Sequence, residues 1–120
     1  MHVFALVLAI LACGAIAAIG TRFLLTPRPA TLDFGVKADD VRALTAIKGV
    51  RDITSGVVPL AVLAAAGTTA FGWTLIAAAL TPLGDATIVV ARGGKLATAL
   101  GIHGLTAALL LAVGFVLALG

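Results

Sequence analysis

Glutamate, asparagine, glutamine and tyrosine are missing from this 120-residue chain, and Ser55 is its single serine. A water-soluble domain of this length needs a polar shell, and these absences leave too little to build one. Only 11% of residues are charged and 62% are hydrophobic, with a mean hydropathy of +1.23. The expected solvent for most of the surface is therefore lipid. Cys13 is the one cysteine, so no intramolecular disulfide can form, and redox compartment cannot be read from it. The net charge of +3 raises nucleic acid as a partner. There is no basic run, however, and little aromatic surface for stacking, which argues against it. Strand-like alternation and internal repeats are also lacking. The expected fold class is all-α.

What is present is a set of four apolar segments, approximately Val3 to Leu25, Ala43 to Ala66, Thr69 to Ala91 and Leu96 to Leu119. Each reaches the roughly 20 residues that a helix needs to cross a bilayer core. The expectation is a single domain over residues 1–120, a four-helix transmembrane bundle running up-down-up-down. Only the first connection, "TPRPATLDFGVKADDVR", has ordinary soluble character. Pro27 and Pro29 end the first helix, and "ADD" before Val41 reads as an N-cap for the second. "AGTT" and "RGGK" are tight connections, so the later helices should pack as antiparallel neighbours. The first segment lacks a basic n-region and runs on to Leu25, which favours a retained span over a cleaved signal peptide.

Charge placement gives sidedness. Arg22, Arg28, Lys37, Arg42, Lys48, Arg51, Arg92 and Lys95 all lie on or toward the side of the first and third connections, as does every aspartate. By the positive-inside rule that side is cytoplasmic and both termini are outside, in a cell (inner) membrane. Trp73, near the outer interface, reads as an aromatic anchor.

The same topology aligns polar groups that are far apart in sequence. Arg51, Asp52, Asp85 and His103 each lie ~10–15 Å from the cytoplasmic end of their helices. Gly49, Asp52 and Gly56 share a small-residue face, and Lys48 stands one turn before Asp52 at a spacing that permits an ion pair. Thr74, Thr81 and Asp85 form a stripe on the third helix, where Pro82 removes a backbone donor and should kink the helix. Lys95, Ala99, His103 and Thr106 form another stripe on the fourth. Charged groups cost about 2.5–3.5 kcal/mol each at a bilayer centre, so they persist where they are paired or useful. Lys48 and Arg51 against Asp52 and Asp85 are charge-balanced. Such a set suits a neutral or zwitterionic lipophilic molecule better than an ion path.

Each residue also has a plainer reading. Lys48 can snorkel to the headgroups, Arg51 and Asp52 can form an anchoring ion-pair network, and Asp85 can cap a helix break. His103 can be a core histidine bonded to a carbonyl. One buried histidine and two aspartates are a thin metal set, and no metal or cofactor is expected. Gly14, Ala17, Ala18 and Thr21 make a helix-packing face suited to a homodimer.

"KGVRD…SG…PL", then "PLGDATIVV" followed by "GG", then "GIHG" resembles an uncharacterised family of small four-span membrane proteins, with a looser likeness to the DoxX-like group. The resemblance covers nearly the whole chain. It marks Lys48, Gly49, Arg51, Asp52, Gly56, Pro82, Gly84, Asp85 and His103 as family-like positions and implies no established activity.

The expected function is binding of a lipophilic small molecule in an intramembrane polar pocket, with proton-transfer chemistry such as isomerisation, cyclisation or epoxide opening. Asp85 would be acid or base and His103 its partner. Arg51 would steady negative charge and Asp52 would orient Arg51, with Lys48, Thr74, Thr81 and Thr106 in contact with ligand. The alternatives are a non-catalytic accessory subunit and, behind it, a small dimeric transporter.

Overall fold

The computed structural model describes residues 2–120, apart from the side chains at 5, 9, 10 and 12–14 of the first helix. Gly14 of the expected packing face, and Cys13, therefore fall outside the described side chains. The chain is helical throughout, with no strand among the described residues. It forms two compact units, Met1–Lys48 and Gly49–Gly120.

In the first unit, α1 (His2–Leu25) is followed directly by α2 (Pro27–Phe34). The segment expected to be an irregular connection thus contains a short helix. Its prolines explain why: Pro27 and Pro29 fall in the first turn, where a helix has no use for their missing N–H groups and their fixed φ is already helical. Arg22 of α1 pairs with Asp33 of α2, and the rings of Phe23 and Phe34 meet edge to face with centroids 6.1 Å apart. Further on, Asp40 accepts a hydrogen bond from the Ala43 N–H at 2.9 Å, the N-cap that "ADD" announced for α3 (Val41–Ala78).

The second unit takes up α3 from Gly49. At Gly67 the backbone leaves the helix, with φ 83° and ψ −174°, a conformation open essentially to glycine alone. This one residue does the work expected of "AGTT". Beyond Ala79, whose backbone is still helical with φ −61° and ψ −19°, the chain continues as α4 (Leu80–Ala91). Gly93, at φ 76°, then closes α4: its N–H bonds the Val90 carbonyl at 3.1 Å while Gly94 bonds Val89 at 2.7 Å. That pair of bonds is the glycine C-cap that ends many helices. The last limb starts with α5 (Leu96–Thr98), widens into a π-helical stretch over Ala99–Gly104, and returns to α-helix as α6 (Leu105–Leu119).

Small residues hold the limbs of this unit together. The buried positions from 68 onward are Gly72, Ala79, Pro82, Ala99, Ala107 and Gly114. Gly72 lies so close to α6 that a methyl group added there would sit 2.5 Å from the Ala118 nitrogen and 2.7 Å from the Gly114 carbonyl oxygen. Large apolar side chains such as Leu60, Leu80, Leu105, Leu109 and Val116 face outward instead. This is the inverse of a soluble core, with close backbone approach between small residues in place of buried large side chains. Two stretches, Val41–Ala91 and Leu96–Leu119, are long and apolar enough to cross a membrane.

Candidate functional site

A cavity of about 280 Å³ lies within the second unit, lined by residues from both sides of the Gly67 break and from the last limb. Asp52, Ser55 and Pro59 come from before the break, while Leu75, Ala78, Thr81, Pro82 and Asp85 come from after it. A straight helix would hold Asp52 and Asp85 about 50 Å apart, so sharing one cavity requires the chain to reverse at Gly67. The third wall is His103, Thr106 and Leu110.

Each wall carries a backbone irregularity at cavity level. Pro59 and Pro82 are both buried. Neither has an N–H, so the Ser55 and Ala78 carbonyls lose their ordinary helical donors. On the third wall, His103 sits inside the π-helical stretch, where the Leu105 N–H reaches back to the Leu100 carbonyl. π-Turns of this kind are rare and concentrate at functional sites, because one extra residue per turn re-aims a side chain.

Asp85 and His103 face one another across two limbs. His103 Nδ1 and Asp85 Oδ2 are 4.0 Å apart, and the side chains are 28% and 38% exposed. That separation is too long for a hydrogen bond. It is short enough for one water, one ligand atom or a small shift to join them. The hydroxyls nearby are already oriented: Ser55 Oγ donates to the Arg51 carbonyl at 2.9 Å, and Thr106 Oγ1 donates to the Ile102 carbonyl at 2.7 Å.

Of the residues singled out in the sequence, the cavity gathers Asp52, Thr81, Asp85, His103 and Thr106. Arg51 is exposed and not part of the lining. Neighbours on an α-helix diverge by about 100°, and here Asp52 lines the cavity while Arg51 does not. Lys48 belongs to the first unit. Thr74 also lies off the lining, and its hydroxyl donates to the Ala70 carbonyl at 2.9 Å. The lining therefore carries two carboxylates and one imidazole, without the lysine and arginine expected to balance them.

Sequence reasoning passed over Ser55, Pro59, Leu75, Ala78 and Leu110. The signal was available. Ser55 and Pro59 follow Asp52 by three and seven residues, and Leu110 follows His103 by seven, so extending each stripe would have reached them. Among the described residues, no group of three histidine, cysteine, aspartate or glutamate side chains is placed to hold a metal ion.

These features define a small all-helical protein with membrane-capable helices and a mainly apolar cavity that carries a few polar side chains. Residues 13–117 match the family described as "Domain of unknown function (DUF4267)", and the chain belongs to that family. No curated protein and no solved structure matches it.

Proposed function

We propose that this is a multi-pass membrane protein whose cavity binds a lipophilic small molecule and moves a proton on it through Asp85 and His103. The observation that carries the reading is the Asp85–His103 pair. A carboxylate and an imidazole from separate limbs stand 4.0 Å apart in one cavity without bonding each other. A pair serving only to lock two helices would be expected to close to bonding distance, whereas a pair that works through a third atom needs that gap.

The chemistry asked of the pair is modest. One group takes a proton from the bound molecule as the other returns one, and a proton passing from the first group to the second across the gap then restores the starting state. Isomerisation or ring closure fits this balance with no co-reactant, and epoxide opening fits it with one water consumed. Leu75, Ala78 and Leu110 supply the apolar surface for the body of the ligand, and the polar groups fix its orientation. An extract of native membranes incubated with the wild type should show a species whose amount changes, and no such change with a folded Asp85→Asn variant. Identical extracts from the two proteins would end the catalytic reading.

The membrane setting is part of the proposal. The Gly67 reversal divides Val41–Ala91 into limbs of spanning length, and α1 and the last limb are long enough as well. The charged connections would be cytoplasmic and both termini outside. In a Cys13→Ala background, Lys95→Cys should react with an impermeant thiol reagent from the cytoplasmic side and Thr68→Cys from the opposite side. Labelling of both from one side would refute the topology.

A further inference from the structure

If the cavity is a ligand site, the lining also says what chemical class it takes. Most of the polar groups among the lining residues can only accept a hydrogen bond. Ser55 and Thr106 have given their hydroxyl protons to Arg51 and Ile102 of their own helices, which leaves oxygen lone pairs for a ligand. Pro59 and Pro82 have no N–H, and they strip the donors from the Ser55 and Ala78 carbonyls. Asp85, when ionised, is acceptor-only. Asp52 already makes a polar contact of its own, so nothing rests on it. Lysine and arginine are absent from the lining, and only Thr81 and one nitrogen of a neutral His103 can donate.

A ligand that satisfies such a wall must bring the protons itself. We infer that the cavity between the Asp52, Asp85 and His103 walls is built for a protonated organic amine carried on an apolar body. An ammonium group offers up to three N–H donors and a positive charge, which match the Asp85 carboxylate and the Ser55 and Thr106 lone pairs together. A carboxylate or phosphate ester would meet repulsion from an ionised Asp85 and only the donors of Thr81 and His103. An alcohol supplies one donor and leaves most of the wall unsatisfied. Leu75, Ala78 and Leu110 give room for a small ring or short chain, in keeping with a volume of about 280 Å³.

This rests on the cavity being a ligand site, and the test separates the two ideas. The full chain in a neutral detergent would be titrated calorimetrically with 3-phenylpropylamine, 3-phenylpropanol and 3-phenylpropanoate, which share one skeleton. Amine should bind about tenfold more tightly than alcohol, with carboxylate weakest, as a charge-assisted set of hydrogen bonds implies. Asp85→Asn should abolish the preference for amine. Thr106→Val, which removes one acceptor and no charge, should reduce it about threefold and keeps the test decisive if Asp85→Asn does not fold. Saturable binding of all three compounds with no amine preference would overturn the amine assignment and leave a ligand cavity standing. An amine preference equally strong in Asp85→Asn would assign it to the micelle and overturn the inference. No saturable binding of any probe would overturn both.

Discussion

Arg22 and Asp33 are hydrogen-bonded, whereas Asp85 and His103 stand 4.0 Å apart, and under the function proposed above that difference separates a structural pair from a working one. The first pair joins α1 to α2 across 11 residues, with both side chains largely exposed at 48% and 65%. Each charge has found its partner, and the nearby Phe23 and Phe34 rings pack on each other. That pair also lines a cavity, of about 220 Å³, together with Ile19, Phe23, Ala30 and Phe34. The second pair spans two limbs, is better shielded, and sits at 4.0 Å in a cavity of about 280 Å³. Opposite charge and a cavity are common to both pairs, and what distinguishes the second is that its partners stand beyond hydrogen-bond distance.

That contrast can be broken at several points, and the largest effect should come from the second pair. If Asp85 and His103 act as a unit, Asp85→Asn or His103→Gln should each remove about 100-fold or more of any proton-transfer rate, and the double variant should lose little beyond the worse single one. Additive losses in a kinetic double-mutant cycle would mean that the two act independently.

Next come the backbone devices that bring the pair together. Gly67→Ala must hold a side chain at φ 83°, ψ −174°, and should cost about 1–3 kcal/mol. Gly72→Val must push α6 away from contacts of 2.5 and 2.7 Å, with a cost of about 1–3 kcal/mol. Reversible unfolding in mixed micelles would read both. A neutral result at Gly72 would show that these limbs do not pack as described.

Smaller effects belong to the first unit and to the start of α3. Asp40→Ala removes the hydrogen bond to the Ala43 N–H and should destabilise by about 1 kcal/mol in the same assay. Asp33→Asn should matter least, with under about 1 kcal/mol for so exposed a pair and no effect on ligand binding at the cavity. A loss of binding in Asp33→Asn would erase the distinction between the two pairs.

Much of this was legible in the sequence, for identifiable reasons. Apolar runs are long signals, and they located the last limb at Leu96–Leu119 to the residue. The N-cap before Val41 was legible because aspartate at that position has one ordinary use. The alignment of Asp52, Asp85 and His103 followed from antiparallel limbs and tight turns, and those three do share a cavity.

Other features left no trace in hydropathy. The turn itself was legible in "AGTT", but nothing in the sequence marks Gly67 as the single residue that leaves the helix. The π-helical stretch around His103 adds one residue to a turn without changing composition. The short helix after Pro27 was hidden by prolines, which end a helix when they follow it and begin one when they lead it. Arg51 was assigned to the cavity on depth alone. Depth fixes how far along a helix a residue lies, and the helical turn fixes which way it faces.

The most direct measurement is native mass spectrometry of the full chain released from a mild non-ionic detergent, with wild type and Asp85→Asn purified in parallel. The account predicts a small organic molecule bound to the wild type and lost from a variant that keeps the same fold and oligomeric state. A wild type that carries no molecule, or an Asp85→Asn variant that retains the same one in full, would contradict it.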